Sequence, residues 1–69
     1  MAKARINTEQ YEFANGKRPR GFGHWMFKIS EDGREEVITV IGTYTEAVTN
    51  LRVRLKGLGY QHPHIDLLS

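Results

Sequence analysis

Bulky and polar side chains alternate most clearly in residues 22–30. Trp25, Phe27 and Ile29 fall at every second position, with polar or flexible residues between them. Because successive side chains of a strand point to opposite faces, this pattern predicts a strand with one packed face and one open face. The residues placed on the open face are His24, Met26 and Lys28.

A second strand is predicted after a turn at residues 31–34. This turn contains Asp32-Gly33, a dipeptide typical of two-residue hairpin loops. Residues 36–41 (Glu-Val-Ile-Thr-Val-Ile) are mostly β-branched and are apolar on both faces, as in a central strand. The two strands should therefore form an antiparallel hairpin.

A helix is predicted next, because Thr43 and Glu46 have the spacing of a capping box. Apolar residues then recur at intervals of three, four and three, which forms one stripe along a helix. Gly57 and Gly59 indicate where the helix ends, and residues 65–68 predict a short last strand. The stripe consists of Val48, Leu51, Leu55 and Leu58.

These elements predict an α+β domain, a three-stranded antiparallel sheet with one helix packed on one face, in the order β-β-α-β. Residues 1–16 form an N-terminal arm or an additional short strand, since Ile6 and the pair Tyr11 and Phe13 allow alternating spacing. The arm ends at the turn signal Asn15-Gly16. Residues 17–69 then form the single small domain.

The chain length of 69 residues allows one domain, with a core that stabilises it by only about 3–5 kcal/mol. The sequence contains no cysteine, so disulfides and thiolate metal sites are excluded and a reducing compartment is expected. There is no apolar run near the ~20 residues of a membrane span and no apolar segment typical of a secretory signal. We therefore expect a cytoplasmic protein that does not bind membranes.

Basic residues are concentrated where the first strand begins. Arginine carries a fixed charge suited to phosphates, and Gly21 and Gly23 allow a phosphate to come close to the backbone. With the aromatic residues that follow, this segment predicts a nucleic-acid-binding surface, although a solvated surface of mixed charge remains open. Arg52 and Lys56 would add contacts only if the helix flank reached the same surface. The predicted nucleic-acid-binding residues are Lys17, Arg18, Arg20, Phe22, His24 and Lys28.

Neither catalysis nor metal binding is predicted. His24, His62 and His64 have no carboxylate at a spacing typical of a metal site, and Pro63 indicates a rigid loop between the last two. Ser30 lies beside a turn and lacks the sequence surroundings of a nucleophile. The sequence therefore predicts a protein that is not an enzyme and holds no metal or cofactor.

Two segments together resemble a known family. Residues 18–29 (Arg-Pro-Arg-Gly-Phe-Gly-His-Trp-Met-Phe-Lys-Ile) and 40–48 (Val-Ile-Gly-Thr-Tyr-Thr-Glu-Ala-Val) are similar to the DNA-binding domain of plant ethylene-response factors and phage-type integrases. In that family a three-stranded sheet lies in the DNA major groove and a helix packs behind it. The resemblance implies double-stranded DNA as the partner. It places Arg18, Arg20, Phe22, His24 and Lys28 toward DNA.

One departure from this family favours a different partner. The family has Arg and Trp facing DNA on the second strand, whereas Ile38 and Val40 occupy those positions here. With Met26 they would form an apolar contact face, as expected for a covering arm, a homodimer or a protein partner. The pattern Pro-Arg-Gly-x-Gly-x-Trp-x-Phe is also similar to short phage-type proteins. The alternative function is therefore a phage- or mobile-element-encoded protein that binds and inhibits a host defence protein.

Overall fold

A computed structural model describes residues 5–68, in the order β-α-β-β-α-β; residues 1–4 and Ser69 of the predicted arm and domain lie outside the described residues. The strands form one sheet in the order β1-β4-β2-β3, in which β1 is parallel to β4 and the other pairs are antiparallel. The elements are β1 (Ile6–Asn7), α1 (Glu9–Asn15), β2 (Phe22–Glu31), β3 (Arg34–Thr43), α2 (Tyr44–Gly57) and β4 (His64–Leu67).

The α+β class, the hairpin, the helix after it and the final strand are confirmed. The sheet is nevertheless four-stranded and mixed, not three-stranded and antiparallel, because Ile6 pairs in parallel with Ile65. A second helix, α1, occupies part of the segment predicted to be an arm or a strand. Both β1 and α1 contribute to the same core, through Ile6 and Tyr11.

The hairpin is continuous along ten residue pairs, from Phe22 opposite Thr43 to Glu31 opposite Arg34. Asp32 and Gly33 both have positive φ angles, 47° and 82°, as a two-residue turn with φ > 0 at both positions requires. The register follows from this turn, because the two residues of every opposed pair are equally far from it along their strands. Local turn chemistry therefore decides which side chains of β3 lie on the buried face.

The α2 helix is capped at both ends. The Thr43 hydroxyl accepts a hydrogen bond from the Glu46 N–H, and the Glu46 carboxylate accepts one from the Thr43 N–H, which completes the predicted capping box. At the other end the N–H of Gly59 bonds to the carbonyl of Lys56, and that of Tyr60 to Leu55. This pattern is a Schellman motif, with Gly59 at φ 85°.

The short α1 helix begins after Thr8 and ends at Asn15. It is followed by Gly16, whose φ is 70° and whose N–H donates a hydrogen bond to the Glu12 carbonyl. The Tyr11 side chain of this helix packs against the core, where the centre of its ring lies 5.6 Å from that of the Trp25 ring. Phe13 is almost fully exposed. Tyr11 and Phe13, whose spacing suggested a strand, therefore do not lie on one packed face.

The core lies between the sheet and the two helices. The predicted packing of Trp25, Phe27 and Ile29 beneath the helix is confirmed, since all three are buried. Leu58, the last residue of the predicted stripe, is exposed because it follows the end of α2. The other buried apolar residues are Ile38, Ala47, Leu51, Leu55, Tyr60, Ile65 and Leu67.

Candidate functional site

The sheet has one face without a helix, which we call the open face. Even-numbered residues of β2 lie on it, because the odd-numbered Trp25, Phe27 and Ile29 are buried under the helices. Directly opposed residues of β3 share that face. The open face of the hairpin comprises Phe22, His24, Met26, Lys28, Ser30, Glu35, Val37, Thr39, Ile41 and Thr43.

Four apolar side chains are exposed on the open face and form what we call the apolar strip. Phe22 is 76% exposed, Ile41 is 60% exposed and Val37 is 51% exposed, while Met26 is exposed to a smaller degree. Seven large apolar side chains are exposed in residues 5–68, and these four share one face of one hairpin. Single exposed apolar residues are ordinary, but a group on one face indicates an interaction surface.

The structure corrects the predicted contact face of Met26, Ile38 and Val40. Ile38 lies opposite Phe27 and is only 7% exposed, and Val40 lies opposite Trp25 and packs against the core. Both therefore belong to the helix-covered face, and only Met26 lies where the prediction placed it. The error came from aligning β3 with the DNA-facing positions of the resembled family instead of counting from the turn.

Val37 and Ile41 are the exposed apolar residues that the sequence analysis missed. The signal was present, because the Asp32-Gly33 turn sets Val37 opposite Lys28 and Ile41 opposite His24. A two-residue turn determines hairpin register, and a shift of one residue moves every side chain to the other face. Counting outward from the turn would have identified both residues.

The charges of the open face are of mixed sign. The Lys28 ammonium lies 3.6 Å from the Glu35 carboxylate, and Lys28 is also directly opposite Asp66 of β4. His64, on the same face, has its Nε2 atom 3.2 Å from the Asp66 carboxylate. The positive charge of Lys28 is therefore balanced by two nearby carboxylates. The half of the open face near the turn has no excess of positive charge that would favour a polyanion.

The predicted basic residues Lys17, Arg18 and Arg20 are all exposed in the connection between α1 and β2. Among the contacts within residues 5–68, none of the three forms an ion pair or a side-chain hydrogen bond. The connection ends at Gly21, whose φ is 81° and whose carbonyl accepts a 2.9 Å hydrogen bond from the Tyr44 N–H. We call residues 17–21 the basic loop.

The basic loop borders the exposed end of the apolar strip. Arg20 precedes Phe22 by two residues, and Phe22 pairs with Thr43 at the end of the hairpin away from its turn. β4 pairs only with residues 27–30 of β2, near the turn. The open face therefore has an apolar end bordered by the basic loop and, near the turn, an end of mixed charge that contains Lys28, Glu35 and Asp66.

A shallow depression lies beside the basic loop, lined by Thr8, Glu12, Arg18, Pro19 and Tyr44. Burial raises the pKa of the Tyr44 phenol, the Arg52 guanidinium opposes that rise and the Glu12 carboxylate adds to it. The phenol is therefore neutral at physiological pH and has no unusual acidity. The depression is too open to exclude water, and its groups do not form an acid–base pair directed at a common point.

The opposite end of the hairpin is held by structural contacts. The Glu31 carboxylate accepts hydrogen bonds from the backbone N–H groups of Gln61 and His62, the shorter at 2.7 Å. The Arg34 guanidinium stacks 4.1 Å from the centre of the Tyr60 ring. These two charges thus anchor the chain that leads from α2 to β4 and are already engaged within the molecule.

Metal-ligand groups and membrane-spanning helices were sought in the part of the chain that the structure describes. No three side chains of His, Asp or Glu within residues 5–68 are grouped as metal ligands would be. Across the same range, no helix has the length and apolar character needed to cross a membrane. The three histidines His24, His62 and His64 are all exposed.

Comparison with protein-family models, with curated proteins and with solved structures finds no match to this chain. The resemblance to the ethylene-response-factor and integrase domain, and to short phage-type proteins, therefore stays a prediction.

Proposed function

We propose that this chain is a non-enzymatic binding module whose open face is covered by a partner protein. The single observation that carries the proposal is the apolar strip, in which Phe22 and Ile41 are mostly exposed at the same end of the hairpin. An antiparallel sheet with one solvated face normally carries polar residues there. Apolar residues on that face are typical of a surface that becomes buried in a complex.

The partner surface is expected to have apolar residues bordered by carboxylates. The basic loop lies at the end of the apolar strip, so its exposed cations would form the rim of the contact. Rim charges guide association and select partners, while buried aromatic residues supply most of the affinity. Phe22 is thus the proposed anchor, and Arg18 and Arg20 are the proposed rim residues.

The consequence of binding that we propose for such a partner is inhibition of a host defence protein. A small module that covers a surface of another protein blocks whatever uses that surface.

The test compares variants of the tagged chain as bait in nuclease-treated lysate of cells that express it. Phe22→Ser with Ile41→Ser removes the apolar strip, and Val53→Ser is the matched control, since Val53 is 69% exposed on α2. One protein should be retained by the wild type and by the control but lost with the double variant. Calorimetry with that purified protein should then show a negative heat-capacity change on binding.

The proposal is wrong if the double variant binds the purified protein as tightly as the wild type does. It is also wrong if nothing except nucleic acid associates with the wild-type bait. Circular dichroism of the double variant provides the folding control, because both substituted side chains are exposed and their loss should leave the spectrum unchanged.

Nucleic-acid binding is a second candidate, favoured by the absence of ion pairs at Lys17, Arg18 and Arg20 within the described residues. Fluorescence anisotropy with labelled duplex DNA, single-stranded DNA and RNA would test it at low and physiological salt. Replacing Arg18 and Arg20 by alanine should reduce the slope of log K against log salt by about one unit per lost phosphate contact. Arg52→Ala with Arg54→Ala on α2 is the matched control, and equal effects of the two pairs would exclude a specific role for the basic loop.

A further inference from the structure

β3 is a long edge strand, and much of it lacks the features that usually prevent an edge from pairing with another chain. In the sheet formed by the described residues its only neighbour is β2, and the pairing runs without a bulge over ten residues. Residues 37–43 (Val-Ile-Thr-Val-Ile-Gly-Thr) contain no charge and no proline. Natural proteins normally protect a long edge with lysine, proline, a bulge or a covering segment, because an unprotected edge pairs with other chains.

The free hydrogen-bonding groups of this edge can be assigned from the contacts of β2. The carbonyl of Met26 accepts a 2.8 Å hydrogen bond from the Leu68 N–H, on the side of β2 that faces β4. Met26 therefore does not exchange backbone hydrogen bonds with Thr39, which lies opposite it on β3. The N–H and C=O of Thr39 point to the free edge, and by alternation those of Val37 and Ile41 do so as well.

We infer that a second copy of this chain pairs antiparallel with the β3 edge, with a two-fold axis at Thr39. In this register Thr39 faces Thr39 of the second copy, and Val37 faces Ile41 on either side of the axis. Glu35 faces Thr43, so no like charges oppose each other. The backbone groups of Val37, Thr39 and Ile41 of each strand are paired, which gives about six intermolecular backbone hydrogen bonds. The Thr43 N–H stays bonded to the Glu46 carboxylate within its own chain.

A second copy fits the β3 edge because the residues whose backbone groups point to the free edge form a nearly symmetric sequence about Thr39. From residue 35 to residue 43 they are Glu, Val, Thr, Ile and Thr, with β-branched apolar residues on both sides of the central threonine. A two-fold contact uses the same surface on both copies, so a self-complementary strand satisfies it directly. The outcome is one eight-stranded sheet in which the apolar strips of the two copies adjoin on the same face.

The inference goes beyond the proposed function and does not depend on it, since it uses the sheet edge and needs no third molecule. Sedimentation equilibrium of the purified wild-type chain over a range of concentrations should show twice the monomer mass. Thr39→Lys and Thr39→Glu should each weaken the dimer by at least about tenfold, because two like charges would face each other across the axis. An equimolar mixture of the two variants should restore dimers. Asn50→Lys and Asn50→Glu, exposed on α2, are the matched controls and should leave self-association unchanged.

The absence of cysteine allows a second measurement that does not rely on a charged variant folding. Opposed residues of a hydrogen-bonded antiparallel pair have Cα atoms about 5.5 Å apart, within the range of about 4.4–6.8 Å that a disulfide spans. Thr39→Cys should therefore form a covalent dimer rapidly on mild oxidation, whereas Asn50→Cys should not. A wild-type chain that stays monomeric at its highest soluble concentration overturns the inference. Slow, equal cross-linking of both cysteine variants, or no restored dimers in the mixture, overturns it as well.

Discussion

The indole N–H of Trp25 donates a 3.0 Å hydrogen bond to the backbone carbonyl of Gly42, which joins β2 to the point where β3 leads into α2. Tyr44 packs edge-on against the same indole at 5.0 Å, and Tyr11 of α1 lies on it at 5.6 Å. One side chain thus connects both helices with both hairpin strands. The position of the basic loop depends on this junction, since Gly21 bonds to the Tyr44 N–H.

Trp25→Phe should lower the free energy of unfolding by about 2–4 kcal/mol, because it removes core volume and leaves the Gly42 carbonyl without its indole donor. Urea denaturation followed by circular dichroism measures this change. Tyr44→Phe is the control, since it keeps the ring and loses only the hydroxyl group. A loss for Trp25→Phe no greater than that of the control would show that the junction contributes little.

The placement of β3 side chains predicts opposite outcomes for two isoleucines on the same strand. Ile38→Ala should destabilise the fold by about 2–4 kcal/mol, since Ile38 is in the core. Ile41→Ala should change stability by no more than about 0.5 kcal/mol, since Ile41 is on the open face. Equal losses from the two variants in urea denaturation would contradict the observed register.

The cap of α2 predicts a local stability effect. Thr43→Ala removes the hydroxyl that accepts from the Glu46 N–H and should cost about 1 kcal/mol. Thr45→Ala is the control, because the Thr45 side chain is exposed and has no capping role. The hydrogen bonds from the Thr43 side chain and backbone also hold the pKa of Glu46 below its usual value. The wild type should therefore lose stability as the pH falls through that lowered pKa, and Thr43→Ala should lose less there.

The environment of the Tyr60 phenol predicts that the free energy of unfolding decreases at alkaline pH. Its phenol O–H donates a 2.7 Å hydrogen bond to the Glu36 carboxylate. That bond raises the pKa of Tyr60, burial adds to the rise and the Arg34 guanidinium opposes it. The native chain thus keeps a proton that the unfolded chain releases near pH 10, so the stabilisation present below about pH 10 is lost as the pH rises through the native pKa.

Urea denaturation across the alkaline range should show this decline, and Tyr60→Phe should make it shallower. Absorbance titration of phenolate would identify the group, because the variant should lose a late-titrating tyrosine. Glu36→Gln offers an independent check, since removing the carboxylate charge should bring the pKa of Tyr60 closer to its usual value. Unchanged titration curves for both variants would contradict the assignment.

The hairpin and its exposed loop were predictable from the sequence because they depend on neighbouring residues. Asp32-Gly33 determines the turn and hence the register, and the alternation around Trp25 identifies the packed face. The exposure of Arg18 and Arg20 also agreed with their charge and their position in a loop. The register argument was available for Ile38 as well, and the misplacement of that residue shows that local geometry outweighs a family resemblance.

What the sequence by itself determined is thus the set of elements governed by short-range chemistry, namely the hairpin, the capped α2 helix and the last strand. Only the tertiary structure decided that Ile6 pairs in parallel with Ile65, that residues 9–15 are helical, and that Lys28 lies opposite Asp66. A seven-residue helix and a two-residue strand are too short to be stable alone. They form because Tyr11 and Ile6 pack on a core assembled by residues distant in sequence.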